Sequence, residues 1–190
     1  MVTVRHETAF DIAAREALLD EAFGESRFTK TAQRLREGRL PADGLSLVAR
    51  AGERLVGTVR LWDIAAGPGR AALLLGPLAV AYDFRNRGIG GSLIWRALSE
   101  ARRRRGAAVL LVGDAPYYGR FGFSAEKTGA LWLPGPYVRE RLLAREIVPG
   151  ALDGARGLIS GTGAREAKPD LAELVAGLSR GHPALASHAA

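Results

Sequence analysis

Residues 2–7 alternate apolar and polar positions and are rich in β-branched side chains, which predicts a strand. Over residues 8–23 the apolar positions Ile12, Ala13, Leu18, Leu19 and Ala22 recur at helical spacing. Thr8 is the N-cap candidate of that helix, with Asp11 three residues on, and Gly24 stops it. Residues 28–36 carry a weaker helical pattern, closed by Gly38 and Pro41. Two apolar runs, 45–50 and 55–63, flank the turn Ala51-Gly52-Glu53-Arg54 and predict a β-hairpin. Residues 71–80 form a third long apolar run, broken by Gly76-Pro77. Proline cannot donate to a ladder, so that break predicts a bulge or a splay.

Residues 88–105 predict a helix with Ile89, Leu93, Ala97, Leu98 and Ala101 on one face and Arg96, Glu100, Arg103 and Arg104 on another. Gly106 is its C-cap candidate. Residues 108–112 are uniformly apolar, as in a strand buried on both faces. A short helix over 115–120, a strand led by Phe121-Gly122-Phe123 and a last strand over 141–148, bounded by Gly150, complete the series. This order predicts one mixed α/β domain over residues 1–150, a sheet with helices on both faces. Small and polar residues dominate from 151 to 190, so that stretch is expected to be an extension, helical over 171–178 and mobile at its end.

Composition removes several function classes. There is no cysteine, hence no disulfide framework and no thiolate metal site. Two of the three histidines, His182 and His188, fall in the last ten residues, so no metal site is expected. No apolar run approaches the roughly 20 residues of a membrane span, and the N-terminus lacks a signal-peptide pattern; a cytoplasmic protein is expected. The net charge of +7 comes almost wholly from arginine, either for an anionic partner or through compositional bias. The run Arg102-Arg103-Arg104-Arg105 lies at a helix C-terminus, where cations complement the dipole. It has no interleaved aromatics, so nucleic acid is not an expected partner.

The chemistry concentrates in Leu78-Ala79-Val80-Ala81-Tyr82-Asp83-Phe84-Arg85-Asn86-Arg87-Gly88-Ile89-Gly90-Gly91-Ser92-Leu93. A strand ends, a basic turn follows, then glycines, then a helix. The first N–H groups of a helix lack partners and attract phosphate. Gly88, Gly90 and Gly91 let a pyrophosphate approach the backbone. Arg85 and Arg87 add charge-assisted hydrogen bonds, and Ser92 adds a hydroxyl. A Walker A loop is excluded because no lysine is present in this segment. A dinucleotide fingerprint fits Gly88 and Gly90 but meets Leu93 at its third glycine, and too few strands follow for two βαβαβ halves.

The segment from Arg85 to Gly90 resembles the Arg/Gln-x-x-Gly-x-Gly/Ala signature of the GNAT superfamily of N-acetyltransferases, and Tyr118-Gly119-Arg120-Phe121-Gly122-Phe123 resembles that family's tyrosine followed by Gly-Phe. The longer run from Val112 to Phe123 is similar to a bacterial subgroup labelled predicted N-acetyltransferases. The resemblance implies a central, mostly antiparallel twisted sheet with a splayed central strand, and acetyl-CoA as the cofactor. It implies that Leu78, Ala79 and Val80 pair with the CoA arm and that Arg85, Asn86, Arg87, Gly88, Ile89, Gly90, Gly91 and Ser92 hold the pyrophosphate. Tyr118 and Phe121 would also contact the cofactor, with Tyr118 as the acid that protonates the departing thiolate and a backbone N–H near Val80 as the oxyanion donor. The implied acceptor is a primary amine on a small molecule or a protein, with a possible homodimer.

One departure is Leu111, where many members place an asparagine; the nearest polar residue is Asp114. Residues 73–80 contain no acid, so the base is open among Glu21, Glu25, Asp63, Asp114 and water. A non-catalytic acyl-CoA sensor and an RNA-associated protein of the same fold are the alternatives. Trp62 and Trp132 belong either to the core or to an acceptor pocket.

Overall fold

The computed structural model describes residues 1–167. In chain order the elements are β1 (Val2–His6), α1 (Ile12–Phe23), α2 (Ser26–Thr29), β2 (Ser46–Ala51), β3 (Arg54–Ala66), β4 (Ala71–Val80), α3 (Ile89–Arg103), β5 (Ala108–Val112), α4 (Ala115–Gly119), β6 (Leu131–Trp132), β7 (Leu142–Glu146) and β8 (Gly157–Gly161). The sheet runs β1-β2-β3-β4-β5-β7, with β8 beside the end of β3 and β6 beside β8. Every pairing along the main path is antiparallel except β4–β5.

The bulge forecast by Gly76-Pro77 is present. Val59 pairs with Leu78 and Leu61 with Leu75, so two residues of β4 stand opposite Arg60 alone. β4 stays paired with β3 as far as Val80, yet it meets β5 only at Leu73–Val109 and Leu74–Leu110. Beyond Leu74 the two parallel strands part, and the sheet opens.

Side chains alternate across β3. Val59 and Leu61 join a core with Leu93, Ile94 and Ala97 of α3, while Trp62 and Ile64 join a second core with Leu35, Leu110, Leu131 and Ile159. A Cβ at Gly57 would lie 3.0 Å from Leu93, which fixes α3 over that face. α1 lies over the other, where its Arg15 and the strand residue Arg60 share the Glu7 carboxylate. Helices therefore cover both faces.

Three local expectations are corrected. The helix expected over 28–36 is broken at Lys30, which is extended (φ −63°, ψ 135°) between α2 and a 3-10 turn, Thr31–Leu35. Tertiary bonds override the weak pattern: Thr31 donates to the Pro136 carbonyl and Arg34 to the Pro134 carbonyl. Directly after Phe123 the expected strand does not form; one bridge, Ser124–Ala144, stands in its place. Residues beyond 150 are not simply an appendage, since Leu152, Ala155 and Ile159 are buried and β8 joins the sheet. β8 is hard to read because glycines bound it, and one is required: a Cβ at Gly161 would sit 2.4 Å from the Leu35 carbonyl oxygen. The helix expected at 171–178 lies outside the described residues.

Candidate active site

β4 delivers the chain through the 3-10 turn Tyr82–Phe84 to the glycine loop. Asn86 and Gly88 take φ +60° and +78°, and Gly88 is the N-cap of α3. The Ser92 N–H donates to the Gly88 carbonyl at 2.9 Å. The N–H groups of Ile89, Gly90 and Gly91 precede the first intrahelical bond and have no acceptor within the helix. These residues line a cavity of about 850 Å³. Leu78, Ala79 and Val80 form one wall; Trp95, Tyr117, Arg120 and Phe121 form the opposite one.

Most of the expected loop lies on this cavity: Arg85, Asn86, Gly88, Ile89, Gly90, Gly91 and Ser92 line it, and Phe121 does too. Ile89 takes part through its backbone, because its side chain is buried in the core. Arg87 does not line it; its guanidinium sits over Phe84. Arg120 brings a second guanidinium instead, stacked 4.2 Å above the Tyr117 ring. Trp95 and Arg120 were not singled out in the sequence as cavity residues. Trp95 lies three residues beyond Ser92, on the same helix face, and Arg120 lies inside the tyrosine run, so both carried a signal.

The polarity of the opening follows from strand geometry. The Ala81 N–H donates toward β3, to Val56, at 2.9 Å. Backbone groups alternate along a strand, so the N–H groups of Val80 and Leu78 point away from β3, into the gap that β5 has left. Arg85 Nε approaches the Val80 carbonyl at 3.5 Å from that side, as this orientation requires.

The adjacent tyrosines divide between two cavities. A Cβ at Gly90 would lie 2.9 Å from the Tyr117 hydroxyl, so Tyr117 closes over the start of α3. Tyr118 lines a second cavity of about 990 Å³ and not the first. Its ring packs against Gly113, where a Cβ would meet it at 2.2 Å, so the position requires glycine. Burial pushes the Tyr118 phenol up to about 12, with Tyr117 adding to the rise and Arg141 opposing it. The two cavities share Phe23 and Leu78 and meet there.

Trp62 is buried and also lines the second cavity, its Nε1 donating to the Gly76 carbonyl at 2.6 Å. Trp132 is exposed beneath Arg139. Of the four acids considered as base, Asp114 alone lines a cavity, where its carboxylate caps α4 by accepting from the Tyr117 N–H at 3.2 Å. Leu111, at the position of the absent asparagine, is core. Of the basic run, Arg103 pairs with Glu100 and Arg104 with Asp43 at the end of α3. Among the described residues no group of three or more histidines and acids is placed to hold a metal, and no helix is long and apolar enough to cross a membrane.

An open strand edge beside a glycine-rich helix start, with a second cavity beyond it, is the arrangement of an acetyltransferase fold, and the chain belongs to the Acetyltransferase (GNAT) family, whose model matches residues 12–123. Two relatives in Escherichia coli K12 are similar over most of the chain. The uncharacterized N-acetyltransferase YhbS is 27% identical over 157 residues, covering 82% of this chain and 93% of its own. The uncharacterized N-acetyltransferase YjhQ is 32% identical over 146 residues, covering 72% and 79%. The crystal structure of E. coli YhbS in complex with CoA superposes with a TM-score of 0.72 at 28% identity, over 85% of this chain and 89% of that one. A Brucella melitensis GNAT acetyltransferase in complex with acetyl-CoA shares the fold, with a TM-score of 0.57 at 22% identity, over 91% and 98%.

Proposed function

We propose that this protein is an acetyl-CoA-dependent N-acetyltransferase that moves the acetyl group directly to a primary amine while both substrates are bound. The observation that carries this reading is the parting of β4 from β5, with the loop cavity and the second cavity meeting at Leu78. Bound acetyl-CoA would supply the acetyl thioester and, on transfer, a thiolate leaving group.

The residues present fit that co-substrate. The free N–H groups of Ile89, Gly90 and Gly91, with the guanidiniums of Arg85 and Arg120, suit a pyrophosphate. The outward N–H and C=O groups of Leu78 and Val80 offer an unpaired strand edge to an amide-bearing arm, in the manner of an added strand. The Val80 N–H, turned into the gap, would serve as a fixed donor for the negative charge that a bound thioester's oxygen gains during attack, stabilising it without reorganising. Tyr118 stands beyond Leu78, on the acceptor side of the opening. Its raised pKa keeps the phenol protonated at neutral pH, so it is available to donate its proton to the departing thiolate.

The test is release of free thiol from acetyl-CoA in the presence of a panel of amines, on wild type and Tyr118→Phe. The expected loss of kcat in the variant is about 100-fold or more, the range for a general acid. Binding of acetyl-CoA with no thiol release for any amine would favour the sensor reading, and an unimpaired Tyr118→Phe enzyme would remove Tyr118 from the mechanism.

A further inference from the structure

The arginines of the second cavity are not equivalent. Arg15 pairs with Glu16 at 3.0 Å and with Glu7; Arg27 pairs with Glu16 and Asp20; Arg60 pairs with Glu7. Arg39 donates to the Gly163 carbonyl at 2.6 Å. Arg36 is the exception. It lines the cavity and is only 8% exposed, and its Nε, like those of Arg15 and Arg27, is buried without a hydrogen-bond partner. Unlike Arg15 and Arg27, it has no carboxylate in ion-pair range among the described residues. Glu37 and Glu166 line the same cavity but are exposed at its rim, and Asp114 is occupied in capping α4.

A guanidinium does not deprotonate at neutral pH, so an unpaired one at this depth is an uncompensated buried charge. Proteins seldom retain that arrangement without a partner, because it costs far more than a neutral side chain would. Two further cations lie within electrostatic reach. The Lys30 ammonium sits over Phe23 and is depressed by burial and then by the charges of Arg36 and Arg141. Neither Lys30 nor Arg141 pairs with a carboxylate among the described residues. Burial also lowers Arg36 itself, to about 10, with Arg27 contributing.

Resting on the acetyltransferase reading above, we infer that the acceptor is a small amine that also carries an anionic group, a carboxylate or a phosphate, and that Arg36 receives that anion. One end of such a molecule would neutralise the buried guanidinium. The other would present its amine where the second cavity meets the first, beside Leu78 and Tyr118. The planar fork of arginine suits two-point binding of either oxyanion.

The test uses matched amines: β-alanine with a carboxylate, 2-aminoethyl phosphate with a phosphate, and propylamine with neither. Thermal stability with acetyl-CoA is measured first, so that failure of the cofactor reading is seen by itself. Thiol release should then show kcat/KM at least about tenfold higher for one anionic amine than for propylamine, one charge-assisted bond's worth of discrimination. Which anionic amine leads distinguishes carboxylate from phosphate. Arg36→Met should erase the preference and, by removing an unpaired charge, raise Tm by about 2 °C or more. Arg36→Lys should keep a weakened preference. Inorganic phosphate alone should stabilise wild type more than Arg36→Met, a comparison readable even without turnover. Equal kcat/KM for all three amines, an undiminished preference in Arg36→Met, or a lower Tm in that variant would each overturn the inference.

Discussion

Asp11 shows how a single residue ties the first strand to the first helix. It is fully buried, and it accepts from Arg5 at 2.8 and 2.9 Å, from Arg50 at 2.7 Å and from Thr8 through both N–H and hydroxyl. Burial works to raise its pKa, but the bonds from Arg5, Thr8 and Arg50 together hold it well below the usual carboxylate range. Asp11→Asn leaves two partly buried guanidiniums without their anion. The expected loss is about 3–5 kcal/mol in a urea melt, the cost of breaking a buried pair; a loss within about 0.5 kcal/mol would show that solvent replaces the carboxylate. The capping half of this role was legible in the spacing of Thr8 and Asp11. The ionic half was not, because Arg5 and Arg50 reach Asp11 through β-strand pairing between β1 and β2. The same limit applied to the tyrosines. The sequence run pointed to Tyr118, but only the turn of α4 sends Tyr117 to one cavity and Tyr118 to the other.

At the scale of elements, α3 combines a glycine-rich, cavity-lining start, proposed above to hold the phosphates, with an amphipathic body, and that glycine placement and helical period were readable in the sequence. Its polar face is organised around Glu100, which is 3% exposed. Arg103 first, then Arg96 at 2.7 Å, outweigh the effect of burial and hold its carboxyl at about 2, against an ordinary 4.5. A depressed carboxyl stabilises the fold above its unfolded pKa, and the contribution is lost as pH falls toward the folded value. Wild type should therefore lose about 1–2 kcal/mol from this group between about pH 4.5 and 2, a figure reduced because both arginines are half exposed. Glu100→Gln should flatten that part of the stability–pH curve; an unchanged acid limb would contradict the assignment. Long periodic elements such as β3, β4 and α3 were legible for the same reason as this helix, since each buries one continuous face. The short β6 and β8 were not. Their positions are set by pairing with each other and with β3, and their own residues alternate too briefly to reveal it.

For the whole molecule, the sheet order places both cavities at a single discontinuity. β4 is held on one side by β3 along its full length and released by β5 after Leu74. The cavity on the α3 side and the cavity on the α1 side both open from that release, and Leu78 belongs to each. The loop cavity was legible because its residues are contiguous in the chain. The second cavity was not, since Arg15, Arg36, Trp62 and Tyr118 come from four separate segments. The most direct test of this arrangement is a thermal melt of wild type and Gly88→Glu with and without acetyl-CoA. Gly88 holds φ +78° at the N-cap of α3, so a glutamate there is strained and would bring a carboxylate beside the proposed phosphate position. At about a hundred times its dissociation constant, acetyl-CoA should add about 2.7 kcal/mol of stability, or roughly 5–10 °C in Tm. That gain should vanish in Gly88→Glu, measured against the variant's own unliganded melt. A wild type indifferent to acetyl-CoA, or a variant stabilised as much as wild type, would contradict the placement of the co-substrate on this loop.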